Sequence, residues 1–221
     1  MPALLERPVL PEVDRSIHQR ANPTWKRVLD LMVFAILVPI LTPLLLLVAV
    51  YIKLVSPGPA FFLQTRVGHG GNPFTIFKFR TMHVASVSRD LEHRNYVAAH
   101  AVTGTPVKKP ENRSQLIPGG SLIRKLSIDE LPQLWNVAQG NMSLVGPRPD
   151  LLLLEDYEAW QLARFEVLPG MTGLWQISGK NRLTFEEMVR LDIQYARSLS
   201  LQHDLRIILM TVLVIIKERN E

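Results

Sequence analysis

The chain has 221 residues, a formal charge of +5 from 25 Lys and Arg against 20 Asp and Glu, and no cysteine. The length fits one domain plus a membrane segment, and the lack of cysteine excludes disulfides and thiolate metal sites. A basic balance suits an anionic membrane surface, a phosphorylated substrate or a nucleic acid as partner.

Residues 1–24 form a polar, proline-rich arm. They hold no apolar core followed by a small-residue cleavage site, so they do not resemble a signal peptide. We expect an irregular arm with some helix around Glu12 to Gln19, and the apolar segment that follows is retained.

The next segment is an uncharged apolar run from Leu31 to Ile52. Its length is enough to cross a bilayer as one helix. Pro39 and Pro43 lie near its centre, and each removes a main-chain donor and crowds the preceding turn. We therefore predict a bend at Thr42-Pro43, with the threonine hydroxyl bonded back to the carbonyl of Val38.

Basic residues flank this run on both sides. A spanning helix usually has more basic residues at its cytoplasmic end, and here the asymmetry is almost absent. A re-entrant hairpin with both ends on the cytoplasmic side fits this pattern, but membrane helices also tolerate a proline kink. The residues alone leave both topologies open. The flanking cations are Arg15, Arg20, Lys26 and Arg27 before the run, and Lys53, Arg66, Lys78 and Arg80 after it.

After the stop at Ser56-Pro57-Gly58-Pro59, the pattern predicts an α+β fold that is mostly helical. A short antiparallel hairpin is expected first, and a polar, turn-rich stretch over 83–120 is expected to be a flexible surface excursion. The last helix is too short to span a bilayer, so it is either a core helix or an interfacial one. The expected elements are strands Phe61 to Gln64 and Phe74 to Phe79, then helices Arg89 to His100, Ser121 to Gln139 with an internal turn, Leu151 to Phe165, Phe185 to Leu199 and Asp204 to Arg219.

Two adjacent carboxylates, Asp129 and Glu130, follow Ser127 and precede Pro132. Ser-x-x-Glu is a capping-box pattern, and proline is tolerated in a first turn, so a helix is expected to start here. Such a helix start attracts anions. Acidic residues in a first turn usually only cap the helix, so this pair alone does not establish chemistry.

Several clusters of basic residues accompany the carboxylate pair in the sequence. Two prolines hold the backbone around Arg148 in Gly146-Pro147-Arg148-Pro149, which suits bidentate binding of a phosphate. Lys78 and Arg80 are expected on one strand face, with Phe79 turned toward a core. With Arg124-Lys125 and the turn Gly179-Lys180-Asn181-Arg182, these clusters predict a diphosphate site where the carboxylates share Mg²⁺ with phosphate oxygens.

In family order, these segments resemble the monotopic bacterial phosphoglycosyl transferases, also called bacterial sugar transferases. Any one segment is weak, but the ordered set from about Lys26 to the C-terminus is specific. The matching segments are Lys26-Arg27 with Asp30, Thr42-Pro43, Ser56-Pro57-Gly58-Pro59, Gln64-x-Arg66-x-Gly68, Lys78-Phe79-Arg80-Thr81-Met82, Leu126 to Leu134, Met142 to Pro149, Pro169-Gly170-Met171-Thr172-Gly173 with Gln176, and Gly179-Lys180-Asn181.

The resemblance implies transfer of a phospho-sugar from a UDP-sugar to a polyprenyl phosphate, such as undecaprenyl phosphate, with release of UMP. It makes Asp129 the nucleophile, through a phosphoglycosyl-aspartate, and it makes Glu130 a ligand of Mg²⁺ or a proton carrier. Asp129 and Glu130 are thus the expected metal-binding residues. The expected substrate-binding residues are Lys78, Arg80, Arg124, Pro147, Arg148, Gln176, Lys180, Asn181, Asp192 and Asp204.

The resemblance also implies a re-entrant membrane hairpin over 25–55 and a catalytic domain over 56–221, with Pro39, Thr42 and Pro43 at the membrane break. The active site is expected on the cytoplasmic face of the bacterial inner membrane, with interfacial amphipathic helices around it. The expected partners are a UDP-sugar, a polyprenyl phosphate and the bilayer. A homodimer and the identity of the sugar stay open.

Two other functions fit the sequence less well. A membrane scaffold for polysaccharide assembly without catalysis would not need the intact Asp129, Glu130 and Arg148 set. A nucleic-acid-binding protein is disfavoured by the apolar hairpin and by the lack of a basic, aromatic-lined face.

Overall fold

The computed structural model describes residues 17–83, 95–97, 99–100, 104–106, 115–179 and 182–218. The helix expected around Glu12 to Gln19 and most of the 83–120 excursion, with its short helix, lie largely outside these ranges. Lys180 and Asn181 lie outside them entirely.

The apolar run forms a single helix, α1, from Thr24 to Val55. At 32 residues it is about 48 Å long, and within the described ranges it is the one helix with the length and composition to cross a membrane. The helix continues through both prolines, so the predicted break does not end it. The Thr42 hydroxyl donates to the Val38 carbonyl at 2.7 Å, as expected. The re-entrant bend stays a prediction.

Both ends of α1 pack against the rest of the fold. Near its start, Lys26 and Asp30 are buried. Near its end, Val48 and Ile52 join a hydrophobic cluster with Phe79. The part between them is exposed, and its large apolar side chains have few protein neighbours; they include Met32, Ile36, Ile40, Leu46 and Leu47.

The expected hairpin is present, with β1 from Phe61 to Val67 paired antiparallel to β2 from Pro73 to Phe79. A short 3₁₀ helix, His69–Gly71, forms the turn. Phe79 pairs with Phe61 in the register and its side chain is almost fully buried, as predicted.

The predicted helix and internal turn over Ser121 to Gln139 are confirmed as three short pieces. These are α2 (Gly120–Lys125), a 3₁₀ helix (Ile128–Gln133) and α3 (Leu134–Gln139).

The segment after α3 differs from expectation. β3 (Ser143–Val145) pairs in parallel with β4 (Gly170–Thr172), and neither strand was predicted. The helical stretch expected over Leu151 to Phe165 is present as two 3₁₀ helices, Leu154–Asp156 and Ala159–Glu166, and not as one continuous helix.

The chain then forms α4 (Leu174–Ile177), α5 (Phe185–Arg197) and α6 (Leu201–Glu218). In α5, Val189 and Ile193 are buried with Phe185 on one face. α6 buries Asp204 and Ile207, whereas the opposite apolar face is exposed along Leu201, Leu205, Leu209, Val212 and Leu213. The fold is therefore mostly helical with one strand hairpin, and the interfacial role of α6 stays a prediction.

Candidate active site

The carboxylate pair lies in the first turn of the 3₁₀ helix Ile128–Gln133, directly after a residue in the left-handed region. Ser127 has φ 55° and ψ 20°, a conformation that costs a residue with a Cβ about 1–2 kcal/mol. Ser127 makes no side-chain cap bond, so the predicted capping box with Glu130 is wrong. The Glu130 carboxylate turns instead toward cations, which bind it more strongly than a neutral N–H does.

Glu130 is bound by two cations from different parts of the chain. Arg148 donates from both terminal nitrogens, Nη1 to Oε2 at 3.0 Å and Nη2 to Oε1. Lys78 Nζ donates to Oε1 at 3.3 Å. Burial lowers the pKa of Lys78, although the Glu130 carboxylate opposes that shift. Burial also acts to lower the pKa of Arg148, but the carboxylates of Glu130, Asp150 and Asp129 together outweigh it and the pKa is raised.

Asp129 is nearly buried, with 7% of its surface exposed, and its charge acts on both Lys78 and Arg148. The structure thus brings together four of the predicted site residues, Lys78, Asp129, Glu130 and Arg148. The described part of the chain contributes a further cation, Arg66, whose charge also acts on Lys78. The spacing Gln64-x-Arg66-x-Gly68 marked Arg66 in the sequence, but it gave that residue no role.

Close backbone contact fixes the segment that carries Arg148. Gly146 N donates to Thr172 O at 2.9 Å, and Gly170 N donates to Pro147 O at 2.9 Å. A Cβ on Gly146 would lie 2.3 Å from the carbonyl oxygen of Leu168, so only glycine fits there. This close contact between the backbones at Gly146 and Gly170 holds Pro147, which is buried. The next residue, Arg148, then points toward Glu130.

Behind Arg148 lies a buried arginine that the sequence analysis missed. Arg164 Nη2 donates to the main-chain oxygen of Arg148 at 2.8 Å and to Asp192 Oδ2 at 2.7 Å. Burial raises the pKa of Asp192 to about 7, against the lowering effect of the Arg164 guanidinium. No motif singled out Arg164, because a lone arginine within Leu151 to Phe165 looks like an ordinary helix surface residue.

Two predicted substrate-binding residues make their contacts elsewhere. Arg80 is buried and donates to Pro59 O at 2.6 Å, to Ser56 Oγ at 2.8 Å and to Ser56 O at 2.9 Å, so it fastens the end of α1 to β2. Asp204 is buried in an ion pair with Lys26, at 2.5 Å, between α6 and α1. These contacts are with protein groups, which indicates a structural role for both.

The remaining predicted residues are placed as follows. Arg124 is half-buried at the end of α2, just before the carboxylate pair. Gln176 lies in α4, and its Oε1 is buried without a hydrogen-bond partner among the described residues. Lys180 and Asn181, which follow α4, are outside the described residues.

The donor set at the carboxylates suits a hard divalent cation. The described residues contain no group of three or more His, Asp or Glu side chains arranged to hold a metal ion. Mg²⁺ needs few protein ligands, because it keeps waters and binds substrate phosphates alongside one or two carboxylates. Asp129 and Glu130 supply oxygen ligands of this kind, and Arg148 and Lys78 lie where phosphate charge would be neutralised.

A profile of the family described as bacterial sugar transferase matches residues 21–218, which is nearly the whole chain. The chain belongs to the bacterial sugar transferase family. The resemblance drawn from the ordered motifs is therefore confirmed.

Individual members of the bacterial sugar transferase family show the same relationship. The chain is 43% identical over 196 residues to a UDP-glucose:undecaprenyl-phosphate glucose-1-phosphate transferase of Caulobacter vibrioides, with 85% of this chain and 68% of that protein covered. It is 37% identical to the exopolysaccharide production protein ExoY of Rhizobium meliloti, covering 85% of this chain and 83% of ExoY. A UDP-glucose:undecaprenyl-phosphate glucose-1-phosphate transferase of Escherichia coli is 34% identical, and the match spans 43% of its length.

Proposed function

We propose that the chain is a phosphoglycosyl transferase that moves a sugar 1-phosphate from a UDP-sugar to a polyprenyl phosphate. The observation that carries the proposal is the bidentate contact of Arg148 with Glu130, beside Lys78 and next to the buried Asp129. Such a cluster fits two substrates that both carry phosphate charge. The Caulobacter vibrioides and Escherichia coli relatives are named for this chemistry, as UDP-glucose:undecaprenyl-phosphate glucose-1-phosphate transferases.

The proposed reaction has two displacements at one phosphorus. A carboxylate oxygen of Asp129 attacks the phosphorus that carries the sugar, and the bond to the bridging oxygen of the diphosphate breaks, so UMP leaves with that oxygen. The product on the protein is a phosphoglycosyl-aspartate. An oxygen of the polyprenyl phosphate then attacks the same phosphorus, and the bond to Asp129 breaks. The carboxylate is restored and a polyprenyl diphosphate sugar is released.

The cations have a defined part in this scheme. Arg148 and Lys78 now neutralise Glu130, and a diphosphate would compete with that carboxylate for the same donors. Bound Mg²⁺, held by Asp129 and Glu130, would supply further neutralisation of phosphate charge. Arg148 is then available to bind two phosphate oxygens with its terminal nitrogens, which a lysine cannot do.

We infer that the site lies at a membrane surface and that α1 enters and leaves the same side. The support is that the buried residues at both ends of α1 pack on one domain, whereas the middle of the helix exposes Ile36, Ile40 and Leu47. A helix that crossed the bilayer would have its ends about 30 Å of hydrocarbon apart. For an inner-membrane protein with basic flanks, the shared side would be the cytoplasmic one.

The proposal is tested by UMP release and by intact mass. Full-length protein in detergent micelles would be incubated with Mg²⁺ and a panel of UDP-sugars that begins with UDP-glucose, with and without polyprenyl phosphate. Wild type should release UMP and gain the mass of a phospho-sugar when the lipid is omitted. Asp129→Asn should do neither, and the surface variant Glu186→Gln should behave as wild type. An adduct that persists in Asp129→Asn would rule out the nucleophile, and no UMP from any UDP-sugar would refute the reaction.

A further inference from the structure

A second charged cluster lies behind Arg148 and has no part in the reaction proposed above. At its centre is Arg164, whose side chain is only 2% exposed. Its terminal nitrogens donate to four groups: Arg148 O at 2.8 Å, Asp192 Oδ2 at 2.7 Å, Asp150 Oδ2 at 2.9 Å and the Tyr157 hydroxyl at 2.9 Å.

Two of those four acceptors stand on either side of Pro149. Proline fixes its own φ, and it biases the residue before it toward extended backbone. The backbone of Arg148, between Pro147 and Pro149, is therefore restricted. Its main remaining freedom is rotation of the peptide group that contains its own carbonyl. That carbonyl accepts from Arg164, and the Asp150 carboxylate anchors the other side of the proline to the same guanidinium. These two contacts with Arg164 hold the main chain on both sides of Pro149.

The guanidinium of Arg164 is itself held firmly. Its central carbon lies 5.5 Å from the ring centre of Tyr157 and 5.6 Å from that of Phe165, which is cation–π geometry. Asp192, at 1% exposure, faces Arg164 from α5. A buried ion pair is a poor means of gaining stability, because apolar side chains of similar volume often do as well. A planar group with several donors is needed, however, to bind a carbonyl and two carboxylates at once.

We propose that Arg164 is a positioning residue, which fixes the main chain at Arg148 so that the Arg148 guanidinium can bind paired phosphate oxygens. Asp150 and Asp192 hold Arg164 in turn, so Asp192 acts through two arginines and does not contact the substrate. A role for Arg164 in catalysis rests on the proposed function. Its effect on phosphate binding by Arg148 can be measured without assuming that function.

The test is a double-mutant cycle between the two arginines, read out by magnesium pyrophosphate binding. Calorimetric titration of the full chain in micelles would compare wild type, Arg164→Lys, Arg148→Ala and the double variant. Lysine keeps the buried charge beside Asp192 but cannot reach every acceptor. Since a misaligned Arg148 would lose its charge-assisted hydrogen bonds to the phosphate oxygens, Arg164→Lys should weaken binding by about 10- to 100-fold. In the Arg148→Ala background the same change should have no further effect.

Two further variants keep the test decisive. Arg190→Lys is the matched control, because Arg190 makes its ion pair with Glu186 on the exposed surface of α5, and it should bind as wild type. If Arg164→Lys does not fold, Asp150→Asn replaces it in the cycle, since Asp150 is 32% exposed and better tolerates the change. It should weaken binding by a smaller factor that also vanishes without Arg148.

Additive losses in the two backgrounds would overturn the inference, because a residue that only supports the fold does not need Arg148. Wild-type affinity in both Arg164→Lys and Asp150→Asn would overturn it as well, as would a wild type that binds no pyrophosphate. UMP release separates the two proposals. A wild type that binds pyrophosphate but releases no UMP refutes the reaction and leaves the cycle to decide the role of Arg164.

Discussion

Lys26, near the start of α1, is almost fully buried, and replacing it with methionine tests how the helix is joined to the domain. Its Nζ donates to Val145 O at 2.8 Å, to the Tyr195 hydroxyl at 2.9 Å and to Asp204 Oδ2 at 2.5 Å. Both charged side chains are 1% exposed. Lys26→Met would leave a buried carboxylate without its cation, which typically costs about 3–5 kcal/mol. That is a large share of the about 5–15 kcal/mol by which native domains are stable.

The partner variant distinguishes a lost ion pair from lost packing. In Lys26→Met/Asp204→Asn neither member of the ion pair leaves an unpaired charge behind, and the Tyr195 hydroxyl, 2.7 Å from Asp204, keeps a polar neighbour. The double variant should therefore recover at least about 2 kcal/mol of the loss, as expected for a coupled pair. Urea unfolding of the full chain in micelles, followed by tryptophan fluorescence, would measure these free energies.

Two results would refute the reasoning. A cost below about 1 kcal/mol for Lys26→Met would mean that the pair is solvated, and no recovery in the double variant would mean that packing dominates. Asp204→Asn also tests the sequence-based role of Asp204. If Asp204 binds substrate, Asp204→Asn should release less UMP and be as stable as wild type. The structure predicts instead that this variant loses stability, whereas UMP release by the folded protein is kept.

Three further predictions follow from the site. Gly146→Ala should prevent normal folding or abolish activity, because its Cβ would lie 2.3 Å from a carbonyl oxygen, whereas Gly104→Ala, with open space around it and φ of +62°, should cost only about 1 kcal/mol in urea unfolding. Asp192 has a native pKa of about 7 against 3.8 unfolded. The native state therefore binds the extra proton between those values, and stability falls as pH rises from about 4 to 7, by up to about 1.4 kcal/mol per pH unit. The free energy of unfolding of wild type should fall relative to that of Asp192→Asn as pH rises through this range. Parallel curves for the two proteins would contradict the prediction. Ser127→Gly should keep UMP release and Ser127→Val should lose it, because a β-branched residue at φ 55° is strongly strained; equal activities would show that the turn does not position Asp129.

The sequence was sufficient for elements with a strong local pattern. The apolar helix, the hairpin between Phe61 and Phe79 and the amphipathic α5 were all predicted, since each depends on periodicity and turn residues that lie close together in the chain. The four residues at the centre of the site were also named, because their types fit phosphate and metal chemistry. Their contacts could not be derived, since Lys78, Glu130 and Arg148 meet only through the fold.

The errors arose where distant contacts decide the local structure. The pairing of Ser143–Val145 with Gly170–Thr172 depends on close approach of two glycines, which no local pattern announces. The capping box failed because Arg148, 18 residues away, competes for the Glu130 carboxylate. Arg80 and Asp204 were named as substrate-binding residues through the family resemblance, and their burial with protein partners is visible only in three dimensions.

The first turns of α1 have a practical consequence for anyone who wishes to handle this enzyme in water. Arg27 donates to the last carbonyls of α3, at Val137 and Ala138, and Asp30 accepts from Ser143 and Leu144 at the start of β3. Removing residues 1–55 would strip these bonds from two segments, α3 and β3, that lie between the carboxylates and Arg148 along the chain. A water-soluble form is better sought by placing polar residues at exposed mid-helix positions such as Ile36, Ile40 and Leu47, with both ends of the helix left intact.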